Sequence, residues 1–285
     1  MTSTPLRSRR LTELLQDFSL EMTGKDIEEL ESANIPAGTR INVTFLGNED
    51  LAMRVAAARA VKRRGCTPVP HVSARRLTSE KALADFLSAL RSEAAAEEIF
   101  VVGGDPGQPH GPYADALSVI RSGLLEAHGV RRVSITGYPE GHPGIPGHVL
   151  WPALADKHAA LREKNLTGDV ITQFGFDADP VLDWIEQVRE LGITGPIRIG
   201  VPGPAGVRRL LRFATRFGVG TSASIAKKYG LSLTNLMGTA GPDRFLHTLA
   251  GDYHPARHGE VKLHFYTFGG LRATAEWITN FRKEG

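Results

Sequence analysis

Residues 98–105 read EIFVVGGD, and residues 131–138 read RRVSITGY. Each is a short apolar run with β-branched residues that ends in glycine and a polar side chain, as a buried strand of a parallel sheet does. Between them, residues 113–127 read YADALSVIRSGLLEA, with apolar positions recurring every three or four residues, the period of an amphipathic helix. Strand, helix and strand within about forty residues make a βαβ unit.

The same alternation continues in both directions. Upstream stand the strand-like runs LQDFSLEM (15–22), TRINVTFLG (39–47) and TPVPHVS (67–73); downstream stand DVITQFGFD (169–177), PIRIGVP (196–202) and KLHFYTFGG (262–270). Helical patterns follow them, among them NEDLAMRVAAARAVKRRG (48–65), WPALADKHAALREKN (151–165) and AGVRRLLRFATRFG (205–218). Helix starts carry caps where expected, as at Thr78-Ser79-Glu80. Eight strand–helix units predict an α/β fold, a (β/α)8 TIM barrel, with extra helices between the seventh and eighth strands, over 220–255. The chain of 285 residues suits one such barrel. We expect a flexible N-terminal segment over 1–14 and a single barrel catalytic domain over 15–285. No G-x-G-x-x-G fingerprint and no Walker A sequence is present, which argues against a nucleotide fold of either usual kind.

Composition narrows the function classes. Hydrophobic residues make up 41% and charged residues 23%, as in a globular protein. No apolar run reaches the roughly 20 residues of a membrane span, and no signal-peptide core is read at the N-terminus, so a cytoplasmic protein without membrane partners is expected. The single cysteine, Cys66, excludes an internal disulfide. The net charge of +3 is spread over scattered basic residues, and aromatics are 7%, so no nucleic-acid partner is expected. A mild basic bias suits anionic small molecules. The histidines suggest no metal site.

In a barrel the chemistry lies at the C-terminal ends of the strands. Those ends carry Glu21, Thr44, His71, Asp105, Tyr138, Gln173 and Tyr266. Each has two readings. Glu21 either faces solvent or is a carboxyl in an apolar mouth, able to deliver a proton near neutral pH. His71 is either a core histidine or a mouth residue. Asp105 either closes an Asx turn before Pro106 or stands at the edge of a ligand that Gly103 and Gly104 let the backbone approach. Gln173 is either a fixed interior hydrogen bond or the amide partner of a heterocyclic ring. Lys164 is either a solvated helix-end cation or a phosphate holder. The loop YPEGHPGIPGH (138–148) crowds titratable groups onto a proline-stiffened segment, either a surface turn or the rim of a ligand site.

The segments INVTFLGN, PHVS, GGDPG, YPEGHP, ITQFGFD and LHFYTF occur in an order and at intervals that resemble the methylenetetrahydrofolate reductase family, over about residues 15–280. The resemblance implies a flavoprotein that interconverts 5,10-methylene- and 5-methyltetrahydrofolate on a (β/α)8 barrel, with FAD at its mouth and NADH or NADPH as electron partner. It implies flavin contacts from Thr44, His71, Gly104, Asp105, Tyr138 and His142, with Asp105 near the isoalloxazine edge and Lys164 near the phosphates. It implies Glu21 as the acid, and Gln173 and Tyr266 on the tetrahydrofolate. By analogy it also implies a homo-oligomer. Departures from the family pattern are SLEMTG around the acid, Gly103 in place of an arginine, Ala160 and Glu163 in place of flavin-binding polar residues, and no aromatic near Val207. They bear on flavin affinity and on the choice of reductant. The alternatives are an enzyme that oxidises 5-methyltetrahydrofolate in a demethylation pathway and a folate- or flavin-binding barrel without turnover.

Overall fold

The computed structural model describes residues 4–45, 49–219 and 238–284. Eight parallel strands form a closed barrel. They are β1 (Ser19–Met22), β2 (Arg40–Val43), β3 (Thr67–Ser73), β4 (Glu98–Val102), β5 (Arg132–Gly137), β6 (Val170–Phe174), β7 (Ile197–Pro202) and β10 (Val261–Tyr266), and going round the barrel the order is β1-β10-β7-β6-β5-β4-β3-β2. The two-residue strands β8 (Ala205–Gly206) and β9 (Thr239–Ala240) pair antiparallel outside it. Register is set by side-chain parity. In β10 against β7, Leu263 faces Ile199 and Phe265 faces Val201; in β2 against β3, Ile41 faces Pro68 and Val43 faces Pro70.

The chain divides into two compact units. One comprises residues 1–20, 137–150 and 171–285, the other residues 21–136 and 151–170.

In the second unit, helix α3 (Leu51–Arg63) buries Val55, Ala57, Ala58 and Val61, and α4 (Glu80–Ala94) buries Leu83, Phe86, Leu87 and Leu90. Each large apolar side chain so buried contributes about 1.5–3 kcal/mol. Asp50 and Ser79 cap these helices, accepting from Met53 N and Ala82 N. The segment 113–127 is two short helices, α5 (Ala116–Arg121) and α6 (Leu124–Ala127), because Gly123 takes a φ of 77° between them. The strand starts are tied by charge. Arg40 Nε donates to Glu98 Oε2 at 2.9 Å, Arg132 Nε lies 3.6 Å from the same oxygen, and Arg132 Nη2 donates to buried Asp169 at 2.7 Å. Arg40, Glu98 and Arg132 are the first residues of β2, β4 and β5. These ion pairs tie neighbouring strand starts together.

In the first unit, α8 (Ala178–Glu190) buries Val181, Leu182, Trp184 and Ile185, and α9 (Val207–Phe217) follows β7. Two further helices, Asp243–Asp252 and Pro255–His258, precede β10, and Leu271–Glu284 closes the chain. These are extra helices of the kind expected between the seventh and eighth barrel strands; residues 220–237 of that region lie outside the described residues. The N-terminus differs from expectation. Thr4–Leu14 is a helix, α1, and Leu11 and Leu14 are buried at an i, i+3 spacing. Arg7 donates to His247 O, and Arg10 Nη1 donates at 3.1 Å to Gly251 O, one of the last four carbonyls of the helix Asp243–Asp252, so α1 is held to that helix.

Candidate functional site

The strand C-termini of the second unit bring Glu21 and His71 together. Glu21 is the third residue of β1, His71 the fifth of β3, and Glu21 Oε2 lies 3.8 Å from His71 Nε2. The histidine side chain is 7% exposed and the glutamate 18%, so a carboxyl and an imidazole share a largely desolvated position. Phe100 of β4 fixes the ring edge-on, with centroids 4.8 Å apart. Thr44 follows β2 and donates its backbone N–H to Met22 O at 2.8 Å, which extends the pairing of β1 and β2 to their ends.

A glycine turn stands at the end of β4. Gly104 has a φ of 96°, which favours glycine, and a Cβ there would fall 2.4 Å from Ser73 Oγ and force that hydroxyl to move. Next to it Asp105 receives two hydrogen bonds from Arg76, at 2.7 and 2.6 Å. Arg76 comes from the turn after β3 and lies over the Phe45 ring at 4.7 Å. Behind it, Arg54 is held between Phe45 and Phe86, at 4.4 and 4.5 Å from their centroids, and donates to His71 O at 2.8 Å. Burial lowers the Arg54 pKa to about 10, with Glu49 opposing the shift. Asp105 is therefore an ion-paired carboxylate on an ordered aromatic–cation layer.

Helix α7 (Gly147–Glu163) carries Lys157 and is followed by Lys164. Lys164 follows the helix, and three residues on Thr167 bridges to Arg132, the first residue of β5. Lys164 thus stands at the strand-start end, 3.5 Å from Glu126. It is not brought to the strand C-termini, because a helix returning antiparallel to its strands ends at the opposite face. Lys157, two turns earlier, is buried between Leu154 and Leu161, and its Nζ lies 3.1 Å from Thr136 Oγ1 near the end of β5. Burial lowers its pKa to about 8, with Asp115 acting in the other direction. The sequence signal for it was a cation on the inner stripe 154/157/161.

The first unit holds the other expected residues. Tyr138 and His142 pack edge-to-face at 5.1 Å on the loop after β5. His142 Nδ1 accepts from Gly144 N at 3.1 Å, and burial lowers the ring's pKa, so the neutral ring carries its proton on Nε2. Tyr266, the last residue of β10, donates to Thr172 O at 3.0 Å, beside Gln173 on β6. Gln173 Oε1 accepts weakly, at 3.3 Å, from Phe174 N.

Around these residues lies an aromatic cluster that the sequence reading missed. Phe213 stacks on Phe268 at 4.2 Å, Phe268 stacks on Tyr266 at 5.9 Å, and Phe174 meets Phe217, Tyr266 and Phe268 edge-on. Phe213 and Phe217 both come from α9, so that helix lies across the C-terminal ends of β6 and β10. The spacing of Phe213 and Phe217 in RFATRF was the available signal. Such a cluster offers flat apolar faces to a planar ring, with an amide and a phenol at its edge.

Eight parallel strands closed into a barrel and alternating with helices define a (β/α)8 barrel. The family model described as methylenetetrahydrofolate reductase matches residues 21–280, and the chain belongs to that family. Over 121 residues it is 29% identical to methylenetetrahydrofolate reductase (NADH) 1 of Zea mays, a match that spans 38% of this chain and 20% of that protein. In fold it is similar to an uncharacterized protein from Clostridium thermocellum that binds two copies of 5-methyl-5,6,7,8-tetrahydrofolic acid; the TM-score is 0.60 at 11% identity, over 99% of this chain and 98% of that one. Among the described residues no helix is long and apolar enough to cross a membrane.

Proposed function

We propose that this chain is a flavin-dependent oxidoreductase that interconverts 5,10-methylenetetrahydrofolate and 5-methyltetrahydrofolate. The family match over residues 21–280 carries the reading, because that span includes every strand-end residue named above. The residues present fit a flavin. Gly104, at a φ of 96°, leaves the backbone after β4 without a side chain, as close approach of a flat ring requires, and Tyr138 and His142 pack edge-to-face on the loop after β5. Thr44, His71, Gly104, Asp105, Tyr138 and His142 would hold FAD, which when bound supplies a reversible two-electron hydride store. Arg76 places a guanidinium beside Asp105, which offsets the arginine missing at Gly103 and damps the carboxylate's field at the ring edge.

The protein's own chemistry is proton placement and orientation. Glu21, desolvated beside His71, exchanges a proton with the folate nitrogen as the one-carbon bridge opens or closes. Gln173 presents an amide to the pterin edge, and the Tyr266–Phe268 faces flank the ring. NADH or NADPH serves as electron partner. The test is product formation: purified protein, FAD, 5,10-methylenetetrahydrofolate and each nicotinamide, with 5-methyltetrahydrofolate measured by mass spectrometry. The proposal requires product with at least one reductant and its loss in Glu21→Gln. No product with either, at saturating FAD, refutes it.

A further inference from the structure

A cavity of about 440 Å³ lies within the first unit, away from the strand C-termini, and its volume is that of a small-molecule site. Its walls come from α1 and the turn after it, from the helix Asp243–Asp252 and from the helix Leu271–Glu284. Leu15 stands four residues before β1, and Arg282 lies near the end of the helix that returns from β10. The cavity therefore sits at the strand starts, on the face opposite to that where Gln173 and Tyr266 end their strands.

Its floor is apolar. Leu11 and Leu15 lie one helical turn apart, Phe281 closes the floor from the last helix, and all three are buried. The Phe281 ring is held by Trp277, stacked at 4.7 Å, and by the tilted His247 ring at 5.5 Å. The rim carries one charge of each sign. Asp243 comes from the first turn of its helix and Arg282 from the last turn of its own, and both side chains are exposed. Arg282 Nη2 donates to Leu15 O, and the guanidinium lies 5.0 Å over the Phe18 ring. That fixes it at the edge of the floor with further N–H groups to donate.

We propose that this cavity binds a zwitterionic α-amino acid with an apolar side chain. Arg282 takes the carboxylate, Asp243 takes the ammonium group, and the side chain lies on Leu11, Leu15 and Phe281. An apolar acid without the amine would bring its charge against Asp243, and an apolar amine without the acid would bring its charge against Arg282. Only a molecule with both charges and an apolar body satisfies floor and rim together. The site does not rest on the folate reading. An exposed ion pair contributes a factor of about 1.5 to 5 in affinity, so each charge contributes selectivity of that size. A ligand that binds the folded chain alone also raises its unfolding temperature by mass action.

The experiment is calorimetric titration and thermal unfolding of the full chain with leucine and phenylalanine. Three controls each lack one feature of leucine: isocaproate has no amine, isoamylamine has no carboxylate, and glycine has no side chain. At least one of the two apolar amino acids is expected to bind saturably and raise the unfolding temperature, and each control to bind more weakly. Asp243→Asn should weaken leucine about 1.5- to 5-fold and leave leucine and isocaproate alike. Arg282→Gln should remove the preference for leucine over isoamylamine. Because Arg282 also holds Leu15 O, its variant is first checked for folding by circular dichroism, and Asp243→Asn decides the matter if it fails. No saturable binding of either amino acid overturns the site. So do isocaproate or isoamylamine binding as tightly as leucine, and an undiminished affinity for leucine in Asp243→Asn.

Discussion

Replacing Lys157 by methionine isolates one buried charge. The ammonium has a 3.1 Å hydrogen bond to Thr136 Oγ1 and is otherwise enclosed by the inner stripe of α7, and burial lowers its pKa from 10.5 to about 8. That difference corresponds to about 3 kcal/mol of destabilisation while the folded chain keeps the amine charged at pH 7. The unfolded chain holds the proton up to 10.5 and the folded chain releases it near 8. Between those values the unfolded state binds more protons, so stability rises with pH there, with the full penalty present below 8. Methionine matches the length without the charge and loses a hydrogen bond of about 1 kcal/mol, so at pH 7 the variant should be more stable by about 2 kcal/mol. From pH 7 to 9.5 the wild-type chain should recover about 2 kcal/mol relative to the variant. Urea unfolding of both proteins at the two pH values measures this, and all other titrating groups cancel in the comparison. Parallel pH dependences, or a variant several kcal/mol less stable at pH 7, would refute the assignment of an enclosed, strained cation.

Other expected outcomes follow from single positions. Gly104→Ala forces an L side chain to a φ of 96° against Ser73 Oγ and should cost about 1–3 kcal/mol in urea unfolding while weakening FAD binding in a fluorescence titration. Asp169→Ala removes the 2.7 Å partner of Arg132 at the strand starts, leaving it Glu98 at 3.6 Å, and should cost about 1.5–3 kcal/mol in stability. Activity per folded molecule should hold, since the strand C-termini are untouched. Arg76→Gln removes one guanidinium partner of Asp105, a partly exposed pair whose loss should change stability by less than about 1 kcal/mol. If FAD binds as proposed, its midpoint potential should become more negative, as the loss of a positive charge beside Asp105 disfavours the reduced anion.

The barrel was legible because its period is written twice, in apolar strand runs and in helical stripes, and each run sits where a strand does. The placement of Glu21, His71 and Gly104 at strand ends was legible because an apolar run that stops at a polar or glycine residue is a local pattern. Lys164 was misplaced because distance along the sequence does not show which way a helix returns; the contact with Glu126 and the Thr167–Arg132 bridge set it at the strand starts. Lys157 and Arg76 were missed because one is hidden in an amphipathic stripe and the other in a short turn. The Phe213–Phe268 stack joins residues 55 positions apart, a pairing that only the closed fold makes. Residues 1–14 read as a flexible start because the segment is short, basic and Ser/Thr-rich, whereas Arg7 and Arg10 of helix α1 donate to carbonyls of the helix Asp243–Asp252.

The most direct test of the central claim is the visible spectrum of the FAD-incubated, desalted protein before and after 5-methyltetrahydrofolate is added without oxygen. A flavin band retained near full occupancy is expected to bleach on addition, and to bleach far more slowly in Glu21→Gln, by about 10²-fold or more. A chain that retains no flavin, or a flavin band unchanged by the folate, would contradict that claim.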